Sequence, residues 1–171
     1  MQSFVTPAPW KPSLQHPMYA TEDTYILAAE WLRNCATVAD WGGGSGFFQT
    51  FLPRQVAYTL VDGTMQHTDQ VLADLTTYHA PSEGILIRHV LDINAEWLTI
   101  LRNAIQAFQK RLVVITYTPS AGETTRIRNK SGWPIHHFRP SDIADEMGSY
   151  FVKTELVQTS HPERLFYAEK V

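Results

Sequence analysis

The chain is short of the features that hold small folds together from outside the core. One cysteine, Cys35, stands in 171 residues. Neither an internal disulfide nor a thiolate zinc site can form from it, and no metal centre is expected. Cys35 closes a predicted helix and reads as a small buried side chain. Basic charge is not in excess either: 14 Lys and Arg against 17 Asp and Glu leave a formal charge of -3. Phosphate recognition wants a basic face, so a nucleic-acid partner is not expected. The short cluster Arg126, Arg128 and Lys130 reads as a solvated loop. Residues 1–18 carry Pro7, Pro9, Pro12 and Pro17 and no apolar run of seven residues. They read as neither a signal peptide nor a membrane span, and the expected compartment is the cytoplasm, without a membrane partner. There is no internal repeat and no low-complexity tract.

What is present is a globular composition, with 44% hydrophobic and 18% charged residues. The length suits one domain over 1–171, with 1–20 as an extended arm anchored by Trp10 and Tyr19. Thr21 is placed to cap a helix whose first turn holds Glu22 and Asp23. Thr37 to Trp41 is a short strand running into glycines. A brief helix over Phe47 to Leu52 stops at Pro53. Val56 to Val61 is the next strand, ending at Asp62-Gly63. Ile85 to Ile87 is a further strand. Asn94 then caps a helix with Trp97, Leu101, Ala104, Ile105 and Phe108 on one face. Leu112 to Ile115 is a continuous apolar run suited to a central parallel strand. Residues 119–138 read as a polar loop. Ser141 caps a helix ending at Gly148, and two last strands, 150–158 and 164–170, are joined by a turn at 160–163. Strand alternating with helix means an α/β sheet with helices on both faces. Ligands of such sheets bind beyond the carboxyl ends of the strands.

The glycine loop falls at such an end, and its spacing sorts among ligands. A dinucleotide fingerprint that starts at Gly42 and Gly44 needs a third glycine where Phe47 stands. A phosphate loop needs Gly-Lys-Ser/Thr, which the chain lacks. Asp40 would repel a pyrophosphate but favours a ligand bearing an ammonium and a sulfonium. Asp62, at the end of the next strand, can accept both hydroxyls of a ribose, a feature shared with nicotinamide sites. A tight turn without a ligand remains the plain alternative for each feature.

Val38-Ala39-Asp40-Trp41-Gly42-Gly43-Gly44-Ser45-Gly46 resembles the first motif of class I methyltransferases that use S-adenosylmethionine (SAM). Leu60-Val61-Asp62 is similar to their acidic second motif. Arg88-His89-Val90-Leu91-Asp92 is similar to the segment after their fourth strand, often His-Val-Leu-Glu-His. The resemblance covers residues 36–118. It implies a Rossmann-like class I methyltransferase fold, a mostly parallel twisted sheet ending on an antiparallel strand beside residues 112–117. It also implies SAM as cofactor, contacted by Asp40, Gly42, Gly43, Gly44, Gly46, Asp62, Gly63, Asp74, Arg88 and His89. Two departures stand out. Asp92-Ile93 replaces the usual Glu-His, and about twenty residues join Asp62 to Ile85 where the family fits a helix and a strand. Gln70 to Ala73 reads either as a short third strand ending at Asp74 or as a helix bearing Val71, Leu72 and Leu75.

The implied activity is methyl transfer to a small-molecule, sugar or peptide acceptor, with a homodimer among the expected assemblies. No separate substrate domain and no Asn-Pro-Pro-Tyr type motif accompanies the site. If the acceptor must lose a proton, His89, Tyr117, His136 and His137 are the candidate bases. Trp10, Tyr19 and Trp133 are candidates to line an acceptor pocket. The arm 1–20 and the loop 119–139 are expected to cover the mouth of the site. A SAM-binding or degenerate Rossmann-like protein without catalysis, and a nicotinamide enzyme, are the competing readings.

Overall fold

The computed structural model describes residues 22–64, 67–117, 123–128, 134–158 and 162–171. Helix α1 (Glu22–Leu32) leads into strand β1 (Thr37–Trp41), followed by a 3-10 turn at Phe47–Phe51. Strands β2 (Ala57–Asp62), β3 (Val71–Leu72) and β4 (Ser82–Arg88) come next, then a 3-10 turn at Leu91–Ile93 and helix α2 (Trp97–Ala107). Strand β5 (Phe108–Tyr117) precedes a hairpin of β6 (Thr125–Arg128) and β7 (Pro134–His137). Helix α3 (Pro140–Met147) and strands β8 (Phe151–Val157) and β9 (Glu163–Glu169) complete the order. One sheet of seven strands runs β3-β2-β1-β4-β5-β9-β8. The β1–β2, β1–β4, β2–β3 and β4–β5 pairs are parallel. The last strand inserts antiparallel beside β5, with Val113 opposite Tyr167, as the sequence predicts. No helix among the described residues is long and apolar enough to cross a membrane.

The period of two along each strand sorts side chains onto two faces. Val38, Leu86, Val113, Ile115, Leu165 and Tyr167 pack with Ala28, Ala29 and Leu32 of α1 and with Phe48. Ala39, Trp41, Ile85, Ile87, Leu112, Val114, Phe166 and Ala168 pack with Ile100, Leu101 and Ala104 of α2 and Ile143 and Met147 of α3. Helices therefore cover both faces. Cys35 is a buried packing residue: a Cβ built on Gly84 would sit 3.1 Å from its sulfur, so α1 approaches β4 closely there. Burial pushes the Cys35 thiol up from its ordinary range, which keeps it an inert thiol.

Several expectations are corrected. Asn94 does not cap α2; its side-chain amide donates to the Val90 carbonyl at 2.6 Å, and Glu96 occupies the cap position. Asn competes locally for backbone groups, and here the preceding turn wins. Phe108 opens β5 rather than closing the helix, so β5 is longer at both ends than its apolar centre. Residues 125–128 and 134–137 of the supposed structureless loop form a two-stranded hairpin. Helix α3 starts at Pro140 after Arg139, one residue before the predicted cap at Ser141. The brief helix expected after the glycine loop is present as a 3-10 turn over Phe47–Phe51.

Between Asp62 and β4 the strand reading prevails over the helix reading, since Val71 and Leu72 pair with Val61 and Asp62. The chain is contracted there and β3 is only two residues long. Its turn is tied down by Asn103 of α2, whose buried amide donates to the Leu75 carbonyl at 2.9 Å. Trp41, wholly buried, meets Tyr78 edge-on at 5.2 Å and fills the space beneath the shortened connection. Thr21, the arm 1–20 and the turn at Ser160 and His161 lie outside the described residues.

Candidate functional site

β1, β2 and β4 end on the same edge of the sheet, and the glycine loop wraps over the end of β1. Gly42, Gly44 and Gly46 have φ of 74°, 55° and 69°, a region that costs glycine little and other residues much. The Gly42 N–H donates to the Val61 carbonyl at 2.6 Å, which folds the loop back onto β2. A Cβ on Gly42 would lie 2.3 Å from a Val90 methyl, and one on Gly43 would lie 2.4 Å from an Asp40 oxygen. At Gly44 a Cβ would meet no atom within 4 Å, so this part of the loop faces open space.

Three acids stand around the loop in different states. Asp40 is buried and accepts the Tyr58 hydroxyl at 2.8 Å. Burial pushes its carboxyl up to about 7, opposed by the Tyr58 hydrogen bond and the Arg88 charge and helped by Asp62. The Tyr58 hydroxyl is itself pushed up, by burial and by Asp40. Asp62, half-buried, accepts the Gly44 N–H at 3.0 Å on one oxygen and Thr64 N–H and hydroxyl at 2.9 Å on the other. Gly63 follows it on the surface. Asp74 is next to this corner in the chain path, since Ala73 N–H donates to the Asp62 carbonyl at 3.0 Å. Its exposed carboxylate closes its own turn, taking Thr76 N–H at 2.9 Å and the Thr76 hydroxyl at 2.7 Å.

A second cluster occupies the ends of β4 and β5. Arg88 donates to Glu163 at 2.8 Å and covers the Tyr25 ring at 4.3 Å. Tyr25 in turn stacks on Phe48 and Phe51, linking the cluster to α1 and the turn after the glycine loop. His89 Nε2 is hydrogen-bonded to the same Glu163 oxygen, and Nδ1 faces Asp92 at 3.6 Å. Its ring lies on Tyr117, 3.8 Å between centroids and 17° from parallel. His89 is the one non-glycine at positive φ, 56°, among the described residues. Such an outlier persists only where its surroundings hold it. Asp92 is wholly buried and takes the Tyr117 N–H at 3.0 Å. Burial raises the Asp92 carboxyl, with His89 pulling the other way. Burial would also raise Glu163, but the His89 hydrogen bond and the His89 and Arg88 charges outweigh it and hold that carboxyl low.

The β6–β7 hairpin packs β7 against the turn Leu91–Ile93, at the foot of this cluster. His136 is buried there, its ring near-parallel to Phe138 at 5.9 Å, and Trp97 meets Phe138 edge-on at 4.9 Å. His137, half-exposed, pairs in register with Thr125. The hairpin is anchored to α3 through Thr124, which bonds the Asp142 carboxylate and accepts the Arg139 N–H at 2.9 Å. Trp10, Tyr19, Lys130 and Trp133 lie outside the described residues. No three metal-ligating side chains gather among the described residues.

The sequence-predicted residues thus fall into two groups: Asp40, the glycines, Asp62 and Gly63 around one loop, and Arg88, His89, Tyr117 and His136 around one charged corner. Sequence reasoning missed Glu163 and gave Asp92 no role. The signal for Glu163 is its register, directly opposite Tyr117 across the β5–β9 ladder.

No family model and no curated protein sequence matches the chain. Solved structures do. The 1,6-didemethyltoxoflavin-N1-methyltransferase of Burkholderia thailandensis, with bound 1,6-didemethyltoxoflavin and S-adenosylhomocysteine, aligns at TM-score 0.72 and 17% identity, over 89% of this chain and 80% of that one. The [4+2]-cyclase SpnF aligns at TM-score 0.71 and 13% identity, over 89% and 81%. Magnesium protoporphyrin IX methyltransferase of Synechocystis PCC 6803, with bound S-adenosylhomocysteine, aligns at TM-score 0.61 and 14% identity, over 88% and 83%. At these identities the likeness concerns the fold, and the fold of this chain is the Rossmann-like α/β fold of class I SAM-dependent methyltransferases.

Proposed function

We propose that the protein is a SAM-dependent methyltransferase acting on a small-molecule acceptor, with a sugar or a peptide group as the wider choice. The observation that carries this reading is the loop itself. Three glycines of the loop are left-handed, the middle one, Gly44, faces open space, and the Asp62 carboxylate stands beside it at the end of the neighbouring strand.

The residues present fit the cofactor. The Thr64 N–H and hydroxyl fill both acceptor directions of one Asp62 oxygen and the Gly44 N–H fills one of the other, so one direction is left for a ribose hydroxyl, and a second hydroxyl would take the place of the Thr64 hydroxyl. Gly42, Gly43, Gly44 and Gly46 bring backbone close to the methionine portion, and any side chain on Gly42 or Gly43 would collide with Val90 or Asp40. Asp40 lies beneath the loop, buried and bonded to the Tyr58 hydroxyl, so its part is to hold the loop from below rather than to choose the ligand by charge. Gly63 and Asp74 would flank the adenine end, and the Arg88–His89 corner the methionine end. The cofactor, when bound, supplies a methyl group already activated on a sulfonium. The chain's own work is to orient donor and acceptor in line and to exclude water.

Calorimetry with S-adenosylhomocysteine and with NAD tests the reading: binding of the first and not the second is expected. Asp62→Ala should weaken S-adenosylhomocysteine binding roughly ten- to a hundredfold, the cost of about 1.5–3 kcal/mol for a charged hydrogen-bond partner, without unfolding the protein. Equal affinity in Asp62→Ala would remove the ribose role. A second reading, cofactor binding without methyl transfer, is favoured by the contracted segment before β4 and by the likeness to a [4+2]-cyclase. It requires S-adenosylhomocysteine binding with no turnover on any acceptor.

A further inference from the structure

The two edges of the seven-stranded sheet differ. β3 closes one side with two residues, Val71 and Leu72, which leaves little backbone to pair with. β8 closes the other with seven, and among the described residues no strand pairs with its outer side. Natural edges of that length are blunted by proline, by bulges or by charges. β8 holds no proline. Its one irregularity lies between Phe151 and Lys153, which leaves 153–157 regular. Its charges are one of each sign, Lys153 and Glu155, on one face of the strand. Lys153 lies over the Tyr167 ring at 4.8 Å, and Glu155 accepts the Tyr167 hydroxyl at 3.2 Å. Two large apolar side chains, Val152 and Leu156, stand 49% and 39% exposed on the same strand.

We propose that a second copy of the chain pairs with this edge, β8 against β8, antiparallel about a two-fold axis through Thr154. The register follows from charge. A two-fold axis normal to the sheet sets one residue opposite itself and exchanges its neighbours on either side. Centred on Lys153, it sets lysine against lysine; centred on Glu155, glutamate against glutamate. Like charges directly opposite destabilise a strand pair. Centred on Thr154, which is exposed and uncharged, it sets Lys153 opposite the second copy's Glu155, and Glu155 opposite its Lys153. The same register brings Val152 opposite the second copy's Leu156, so the exposed apolar side chains meet each other. Two sheets become one, and the outward backbone groups of both edges find partners. A joint of one strand pair is small beside the interfaces of stable dimers, so the association is reversible and depends on concentration. β4, β5 and β9 stand between β1 and β8, so the glycine loop of each copy stays clear of the joint.

Sedimentation velocity of the full chain over a concentration series tests this. The parent should pass from monomer to dimer as concentration rises. Lys153→Glu sets glutamate against glutamate at both contacts, and Glu155→Lys sets lysine against lysine. Each variant alone should dimerise roughly ten- to a hundredfold more weakly, since two opposite-charge pairs become like-charge pairs. Mixed in equal amounts, the two should recover the parent's association, because every contact between unlike variants is again glutamate to lysine. Losing the Lys153–Glu155 ion pair within one strand cannot produce that recovery. Thr154→Cys should form a covalent dimer on oxidation, because the axis sets its Cα opposite its own copy within disulfide reach. Val152→Cys should not, and neither should the parent, whose Cys35 is buried. A parent that stays monomeric at every concentration overturns the inference and leaves the edge to solvent or to another segment of chain. A mixture that associates no better than its components also overturns it, as does a Val152→Cys dimer formed as readily as the Thr154→Cys one. S-adenosylhomocysteine affinity should be equal in parent and both charge variants, so failure of the dimer leaves the methyl-transfer reading standing.

Discussion

At the end of β1 the chain makes a surface out of backbone: glycines in left-handed conformations, an open space at Gly44, and one carboxylate to close the corner. At the end of β4 it makes a surface out of side chains: Arg88 and His89 converge on Glu163, Asp92 sits beneath, and Tyr117 lies against the imidazole. The first region is damaged by adding atoms, the second by removing them. The first is assembled from residues close in sequence. The second needs Glu163, brought from the far end of the chain by the β5–β9 ladder.

Removal should hurt the charged corner most. Glu163 is 3% exposed and bonds both the Arg88 guanidinium and the His89 ring. Taking away one partner of a buried charge cluster costs about 3–5 kcal/mol. Glu163→Ala should therefore lower the stability measured by urea denaturation by that order. A loss below about 0.5 kcal/mol, typical of surface changes, would mean the corner is a surface contact and the contrast is false.

Asp40 sharpens the comparison, because here the loop region carries a strained charge. Its carboxyl titrates near 7 in the fold against an ordinary value of 3.8. Between those values the folded state keeps a proton that the unfolded state has lost. The folded state binds more protons, so stability falls as pH rises from about 4 to about 7 and then levels off. Asp40→Asn removes that loss and should raise stability above pH 7, by at most about 4 kcal/mol at 1.4 kcal/mol per pH unit of displacement. Identical melting curves for parent and variant at pH 8 would show that Asp40 is not held protonated.

Addition should hurt the loop, by a smaller amount. Gly43→Ala forces a methyl against Asp40 and Leu60. Overpacking of this kind costs about 1–3 kcal/mol, and cofactor affinity should fall with it. Gly44→Ala, with open space in front of it but φ of 55°, should cost less stability than Gly43→Ala. The reverse order would argue that conformation, not contact, governs the loop.

How far the sequence reached follows the same division. The strand–glycine loop–strand–acid unit was legible because each signal is local: the apolar run, the loop spacing, the acid at the strand end. The antiparallel last strand was legible from chain order. Residues 125–137 looked like a loop because four-residue strands leave too few side chains to display a period of two. Asn94 looked like a helix cap, but its amide had a nearer carbonyl, that of Val90. Glu163 sits at a predicted turn, and only the register of a non-local ladder gives it a partner.

The place of β9 in the sheet has a consequence for biosynthesis. It comes after the other six strands of the sheet in chain order, yet it is not at the edge; it lies between β5 and β8. Until residues 163–169 leave the ribosome, β5 has no partner on that side and β8 has none at all, and unpaired edges of this kind invite aggregation. The same residues deliver the carboxylate that pairs with Arg88 and bonds the His89 ring. A product cut short before them would therefore carry an open sheet and an Arg88 charge without its carboxylate, a form open to proteolysis.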